Sequence, residues 1–146
     1  MTSQMSNPDL ILLAEDEDND VFFITRAFQK ASILNPILRV KDGEEALAYL
    51  AGNGIFKDRG EYPLPLLVLL DMRMPKLSGL EVIARVRGIP QLEKIPLMVL
   101  TFTKDSPDLD QALKAGANGW LLKPVTFEGI NDMLSRAGFG FNIAAR

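Results

Sequence analysis

Five short apolar runs are spaced along the chain, and each is followed by a longer stretch of mixed polarity. The runs cover residues 10–14, 37–40, 65–70, 97–100 and 120–122. Short continuous apolar runs are typical of strands that are buried on both faces. The stretches between them show helical spacing, as in Val21, Ile24, Phe28 and Ala31 after the first run. This alternation predicts five βα units around a parallel sheet.

Turn and capping residues predict where the later helices lie. Helices are expected over about residues 44–50, 80–87 and 105–115 and after residue 126. Ser106 is a predicted N-cap with Pro107 in the first turn, and Thr126 is expected to cap the last helix. The segment 52–65, by contrast, holds three glycines and two prolines. It is predicted to be an extended surface loop.

The candidate site residues directly follow four of the apolar runs. Glu15 and Asp16 follow the first run, Asp71 the third, Thr101 the fourth and Lys123 the fifth. In an open parallel sheet, ligands bind in the crevice outside the carboxyl ends of the strands. We therefore expect these side chains to meet in one site.

Composition limits the functions that suit this chain. With 146 residues, of which 47% are hydrophobic, it has the material for one domain with a full core. The net charge is −3 and the pI is about 5.0, so nucleic acid is not an expected partner. No apolar run approaches the length of a membrane-spanning helix. No membrane association is expected, and the expected location is the cytoplasm.

The residue types at the strand ends indicate phosphoryl chemistry. The chain has no cysteine and no histidine, which excludes thiol nucleophiles, imidazole bases and the usual zinc ligands. Carboxylates crowded together, as Glu15, Asp16 and Asp71 would be, repel one another unless a cation neutralises them. Mg²⁺ suits such oxygen ligands, and Mn²⁺ would also serve. Lys123 adds a positive charge and Thr101 a hydroxyl donor. Asp71 is the candidate nucleophile, because an aspartate can form an acyl phosphate.

Each of these features also has a simpler explanation. An acidic pair before a helix often does no more than interact with the helix dipole. A lysine before a proline usually marks a strand end, and a threonine there is usually a cap. The combination is more specific, because Asp16, Asp71, Thr101 and Lys123 each follow their own predicted strand.

Four segments carry a resemblance to a known family. They read LLAED at 12–16, LLDMRMPKLSG at 69–79, LMVLT at 97–101 and AGANGWLLKP at 115–124. Over about residues 9–137 the chain resembles the receiver domain of two-component response regulators. The resemblance implies an α/β fold of the flavodoxin-like type, with a five-stranded parallel sheet of order 2-1-3-4-5 flanked by five helices. It leaves 1–8 as a polar N-terminal extension and 138–146 as a C-terminal tail, with no output domain.

The resemblance also implies roles for the strand-end residues. Asp71 would accept phosphate from a histidine kinase, and Lys123 and Thr101 would contact the phosphoryl group. The implied ligands of Mg²⁺ are Glu15, Asp16, Asp71 and the backbone carbonyl of Arg73. The peptide bond between Lys123 and Pro124 is expected to be cis. Such a protein catalyses its own phosphorylation and dephosphorylation and is not a turnover enzyme.

Switching in this family couples the threonine to an aromatic residue three positions before the lysine, here Trp120. Phosphorylation would draw Thr101 inward and let the ring turn, which biases the face formed by the last two helices and the last strand. Tyrosine or phenylalanine is commoner at the position of Trp120. Phe102 stands where the family usually has a small residue, and we hypothesise that its bulk slows the entry of small donors and water. Arg73 and Thr103 occupy positions that tune the lifetime of the phosphorylated state.

The implied partners are proteins. A histidine kinase would dock near the first helix, with the exposed member of the pair Phe22 and Phe23 in the contact, and the output would be a downstream target or a second copy. The long loop before the third strand is similar to that of single-domain receivers paired with phytochrome kinases. Trp120 and the apolar residues of the C-terminal tail favour a homodimer through the face near the last helices. Those tail residues are Phe139, Phe141 and Ile143.

Two other functions remain open at this point. A phosphohydrolase of the haloacid dehalogenase type would use Asp16 as its nucleophile, but the late acidic motif it needs is represented only by Glu128 and Asp132 on a predicted helix. A receiver-like scaffold would never carry phosphate, and the intact set of strand-end residues counts against it. Turnover of a phosphate ester favours the hydrolase, whereas stoichiometric labelling of Asp71 favours the receiver.

Overall fold

The computed structural model describes residues 10–137, with five strands and five α-helices in strict alternation. In chain order they are β1 (Ile11–Ala14), α1 (Asp18–Lys30), β2 (Ile37–Val40), α2 (Gly43–Ala51), β3 (Leu67–Asp71), α3 (Gly79–Arg87), β4 (Leu97–Thr101), α4 (Pro107–Ala115), β5 (Gly119–Leu122) and α5 (Phe127–Ala137). Two short 3₁₀ helices lie at Gly54–Phe56 and Pro90–Leu92. None of the helices in this range is long and apolar enough to cross a bilayer.

All strand pairs are parallel, and the strand order is β2-β1-β3-β4-β5. This confirms the expected flavodoxin-like arrangement. In the registers, Ala14 lies opposite both Val40 and Leu70, and Asp71 lies opposite Leu100. The strands therefore end close together at their carboxyl edge, where the chain enters the loops that carry the predicted site.

The sheet is covered by helices on both faces, and each face has its own apolar core. Along β1, Leu12 and Ala14 belong to the core under α2, α3 and α4, whereas Ile11 and Leu13 belong to the core under α1 and α5. Alternate residues of a strand point to opposite faces, so strands buried on both sides must be continuously apolar. This explains the continuous apolar runs of β1, β3 and β4, which are fully buried, whereas β2 and β5 at the two edges of the sheet are only partly buried.

Polar caps set the helix starts. Thr126 Oγ1 accepts the backbone N–H of Gly129 at 3.0 Å, which confirms the predicted cap of α5. Ser106 Oγ accepts the N–H of Leu109 at 3.1 Å. The predicted N-cap at Ser106 and the predicted place of Pro107 in the first turn are confirmed, and α4 begins at Pro107, two residues after the predicted bound of about 105.

The segment 52–65 was expected to be an extended surface loop, and the structure corrects this. It contains a 3₁₀ helix, and Phe56 is buried with its ring centroid 5.0 Å from that of Tyr49 and 5.2 Å from that of Tyr62. Arg59 donates hydrogen bonds to the carbonyls of Tyr49, Leu50 and Tyr62 at 2.8–3.0 Å. The segment is thus a folded cover over the amino end of the sheet.

Candidate functional site

The residues predicted from the strand ends lie together at the carboxyl edge of the sheet. Glu15 and Asp16 follow β1, Asp71 and Thr101 end β3 and β4, and Lys123 follows β5. All except Asp16 are at least nine-tenths buried. Asp16, Asp71, Thr101 and Lys123 line a cleft of about 410 Å³. The peptide bond from Lys123 to Pro124 is cis, as expected.

The ammonium group of Lys123 is surrounded by three carboxylates. Its Nζ lies 3.0 Å from Asp71 Oδ2, 3.0 Å from Glu15 Oε1 and 3.1 Å from Asp20 Oδ2. Burial alone lowers the pKa of a lysine, but the hydrogen bond to Asp71 and the other two carboxylates outweigh it and raise the pKa of Lys123. Lys123 therefore stays charged at neutral pH and faces the carboxylate of Asp71.

The charged form of Glu15 is disfavoured by its surroundings. Its side chain is fully buried, and burial, followed by the neighbouring Asp71, raises its pKa to about 7 despite the opposing effect of Lys123. Oε2 accepts the N–H of Glu17 at 3.2 Å. Oε1 is close to Lys123 Nζ, but among the described residues it makes no hydrogen bond of good geometry. One buried oxygen is thus left with unsatisfied acceptor capacity.

The acidic cluster suits a hard divalent cation. One carboxylate oxygen from each of Glu15, Asp16 and Asp71 lies within 4.8 Å of the other two. Oxygen ligands of this kind are those that Mg²⁺ and Mn²⁺ prefer. The unsatisfied Oε1 of Glu15 is a further reason, because a cation would neutralise the charge that burial disfavours. The residues present therefore fit a divalent metal ion.

The backbone after β3 also contacts the cluster. The N–H of Arg73 donates to Asp71 Oδ1 at 3.1 Å, so both carboxylate oxygens of Asp71 have a donor. The side chain of Arg73 is exposed and lines the cleft. Asp71 is thereby held in one orientation by the loop on one side and by Lys123 on the other.

Thr101 and Trp120 are near the cluster but make other contacts. The hydroxyl of Thr101 donates to the carbonyl of Thr103 at 3.2 Å. Trp120 is partly buried against the core under α4, and the guanidinium of Arg136 lies 5.3 Å from its ring centroid. Contact between Thr101 and a group on Asp71 therefore requires the bond to Thr103 to be exchanged.

Phe102 stands at the opening of the cleft. It is 72% exposed, and its ring centroid lies 5.1 Å from Lys123 Nζ, within the range of a cation–π contact. Thr103 lines the same cleft and is also exposed. The exposed ring of Phe102 thus has a favourable contact with the ammonium group of Lys123.

The sequence did not lead us to two residues that contact this cluster. Asp20 lies in the first turn of α1, and its place in the acidic run from Asp16 to Asp20 was an available signal. Arg39 lies in the otherwise apolar β2 and donates from Nε to the carbonyl of Glu15 at 2.7 Å and from Nη2 to that of Asp16 at 3.1 Å. The one signal for Arg39 in the sequence was a charged residue within an apolar run.

Comparison with known proteins identifies the family. The profile of the response regulator receiver domain matches residues 11–135. The chain is 35% identical over 127 residues to the probable methanogenesis regulatory protein FilR2 of Methanothrix harundinacea, covering 87% of this chain and 79% of FilR2. It is 31% identical over 134 residues to response regulator Rcp1 of Synechocystis, covering 92% and 89%.

Solved structures agree with this result. The bacteriophytochrome response regulator RtBRR superposes with a TM-score of 0.83 at 33% identity, covering 94% of this chain and 82% of that one. The Mn²⁺-bound form of Rcp1 gives a TM-score of 0.77 at 28% identity, covering 94% and 100%. Because the profile match spans the whole sheet and the carboxyl-edge cleft, the chain belongs to the response regulator receiver domain family of two-component signalling.

Proposed function

We propose that Asp71 is the phosphoacceptor of this receiver and that its donor is the phosphohistidine of a histidine kinase. The observation that carries the proposal is the position of Asp71, whose carboxylate is held between the acidic pair and the ammonium of Lys123. In the transfer, an oxygen of Asp71 forms a bond to phosphorus while the bond from phosphorus to the donor nitrogen breaks. Lys123 balances the charge that spreads over the phosphoryl oxygens.

Glu15, Asp16 and Asp71 would hold Mg²⁺, with Mn²⁺ as a substitute and the backbone carbonyl of Arg73 as a further ligand. When bound, the ion supplies positive charge to the phosphoryl oxygens. The protein contributes the geometry, since Lys123 and the N–H of Arg73 already orient Asp71. The clustering of carboxylate oxygens and the raised pKa of Glu15 support this assignment.

The response to phosphorylation would run through Thr101 and Trp120. Thr101 exchanges its bond to Thr103 for one to the phosphoryl group, and the space it leaves admits a rotation of Trp120. The contact of Trp120 with Arg136 would change at the same time. Leu122 is 43% exposed on β5 between α4 and α5, so this face offers an apolar surface for a protein target or a second copy.

Phe102, Arg73 and Thr103 would set the rates at which phosphate enters and leaves. Phe102 lies over the ammonium that the phosphoryl group must reach, so its ring hinders small donors and the hydrolytic water. We expect Phe102→Ala to raise the rate of phosphoramidate labelling and the rate of dephosphorylation together. Unchanged rates in both directions would disprove the role of Phe102.

The kinase would dock beside the cleft on α1. The sequence led us to expect one exposed ring of the pair, but Phe22 and Phe23 are both about half exposed, at 57% and 51%. Two exposed rings next to the acceptor site suit a helical partner surface. The similarity to a bacteriophytochrome response regulator supports a phytochrome kinase as the donor.

Intact mass after incubation with phosphoramidate and Mg²⁺ tests the acceptor. We expect one phosphoryl group per chain on the native protein, none without Mg²⁺ and none on Asp71→Asn. Asp105→Asn is the matched control, because Asp105 is exposed on the loop after β4 and should label normally. A label that survives in Asp71→Asn and is lost in Asp16→Asn would instead favour the hydrolase chemistry. Absence of label from Phe102→Ala as well as from the native chain would favour a phosphate-independent scaffold.

A further inference from the structure

Arg39 reaches from the edge strand β2 to the loop that carries the acidic pair. It lies opposite Leu13 of β1 in the register, and its side chain is 25% exposed. Three guanidinium nitrogens are used. Nε donates to the carbonyl of Glu15 at 2.7 Å, Nη2 donates to the carbonyl of Asp16 at 3.1 Å, and Nη1 lies 2.9 Å from Asp18 Oδ1. All of these contacts fall between the end of β1 and the first residue of α1.

The two carbonyls lie just beyond the last paired residues of the two strands. The ladder between β1 and β2 ends at Ala14 and Val40, and the N–H of Glu15 still reaches the carbonyl of Val40 at 3.1 Å. Beyond that point the guanidinium acts as the hydrogen-bond donor for the carbonyls. Because the orientation of a peptide constrains the Cα–Cβ directions of the residues next to it, these bonds restrict the positions from which the side chains of Glu15 and Asp16 extend.

The positive charge of Arg39 should weaken cation binding, whereas its hydrogen bonds to the loop should strengthen it. A positive group close to a cation site weakens the binding of the cation by Coulomb repulsion. The rigid fork of a guanidinium, in contrast, can hold two acceptors at fixed positions, which a lysine ammonium cannot do in the same way. Positioning and charge therefore predict opposite changes in cation affinity when Arg39 is made neutral.

We propose that Arg39 is a positioning residue of the metal-binding loop. It holds the peptides of Glu15 and Asp16 so that their carboxylates meet that of Asp71 before a cation arrives, and this outweighs its own charge. The inference rests on the proposed metal site and names a residue that acts through the ligands without touching the ion. Groups that orient metal ligands typically contribute about tenfold to a hundredfold in affinity.

Calorimetric titration with Mn²⁺ and with Mg²⁺ tests this, with the paramagnetic signal of free Mn²⁺ as an independent readout. We expect Arg39→Met to bind both ions about tenfold more weakly, although it removes a positive charge. Arg39→Lys should lose a similar factor, because it keeps the charge and loses the fork. Asp18→Asn, which retains both donors to the carbonyls, should stay within about twofold of the native chain.

Arg59→Met is the matched control for a loss of stability. Arg59 also donates to backbone carbonyls, but it does so at the amino end of the sheet, away from the acidic pair. It should lower the urea midpoint without changing Mn²⁺ affinity. Should Arg39→Met not fold, Arg39→Lys carries the same comparison.

Three results of these titrations would overturn the proposal, each for a different reason. Binding by Arg39→Met that equals or exceeds native binding overturns the positioning role and leaves only the charge effect. Equal losses in Arg39→Met and Arg59→Met also overturn it, since both would then act through stability alone. A native chain that binds neither ion overturns the metal site itself, and the positioning role falls with it.

Discussion

The two ends of the sheet are each organised around one basic side chain with three acceptors, but the acceptors differ. At the amino end, Arg59 donates to three neutral backbone carbonyls. At the carboxyl end, Lys123 faces the charged groups of Glu15, Asp20 and Asp71. The first arrangement places one positive charge among neutral acceptors. The second leaves an excess of negative charge at a largely buried position.

This difference separates stability from function in the same fold. Carbonyl acceptors need only hydrogen bonds, so the amino end can pack an aromatic cluster around Arg59 and stabilise the fold. Carboxylates that outnumber their cation repel one another, and burial adds to the cost, as the raised pKa of Glu15 reflects. A divalent cation bound at the proposed site would relieve this repulsion, so the carboxyl end would lose stability without the ion and regain it on binding.

The largest expected effect on stability lies at the amino end. Phe56 is buried and packs against Tyr49 and Tyr62, so Phe56→Ala should lower the free energy of unfolding by about 3–4 kcal/mol. Urea denaturation measures this. Ile55→Ala is the control, because Ile55 is 74% exposed and should change little. Folded Phe56→Ala should be labelled by phosphoramidate at the same rate as the native chain. A large fall in this rate would mean that the amino and carboxyl ends of the sheet are coupled.

Removal of the ammonium charge of Lys123 at the carboxyl end should have a comparably large effect on the rate of phosphorylation. Lys123→Met keeps the length of the side chain but deletes the charge beside Asp71. We expect phosphoramidate labelling to slow by about a hundredfold, since this charge stabilises the transferring group. Labelling rates from intact mass provide the measurement. Lys104→Met, at an exposed position in the loop after β4, should label normally. A rate within about threefold of native would exclude Lys123 from the transfer step.

Glu15→Gln tests whether the carboxyl end is destabilised by its own charge. The pKa of Glu15 is raised from 4.5 to about 7, so the folded protein binds more protons than the unfolded chain between these values. Stability must therefore fall as pH rises from about 4.5 to 7, and this fall should be absent from Glu15→Gln. From pH 5 to pH 8 in chelator, the native chain should lose about 2 kcal/mol relative to the variant.

Mg²⁺ should reduce that difference in stability between the native chain and Glu15→Gln. A bound cation favours the ionised carboxylate, so the native chain gains stability from Mg²⁺ and Glu15→Gln gains less. Urea titrations at both pH values, with and without Mg²⁺, give four free energies of unfolding for each protein. Parallel pH profiles for the two proteins would show that Glu15 is not the source of the pH dependence. Glu44→Gln, at an exposed position, is the matched control.

The sequence predicted the positions of the strands well, because the apolar pattern of a strand depends only on the residues of that strand. Strands buried on both faces must be continuously apolar, which located β1, β3 and β4, and shorter apolar runs located the partly buried edge strands β2 and β5. Parallel topology brought the residues after the strands to one edge. The sequence was less informative where a contact depends on the reach of a side chain across elements. Arg39 extends from β2 to the loop after β1, and Asp20 turns from α1 toward Lys123. Neither contact follows from spacing alone.

The segment 52–65 was misjudged for a related reason. Glycines, prolines and charged residues are typical of a solvated loop, and they hid the fact that Phe56 and Tyr62 have a partner ring in Tyr49 of α2. The burial that raises the pKa of Glu15 is likewise a property of the packed fold. In both regions the sequence indicated which residues are present, and packing decided their energies.

The smallest expected effect returns to the amino end. The hydroxyl of Tyr49 donates to the carbonyl of Pro63 at 2.7 Å, and Tyr49→Phe keeps the ring while removing this bond. We expect a loss of about 1 kcal/mol in urea denaturation, the usual value for one neutral hydrogen bond. The loss should be the same at pH 5 and pH 8 and with or without Mg²⁺, because no charge is involved. A dependence on either condition would mean that the amino end responds to the charged cluster, and the separation of stability from function would then fail.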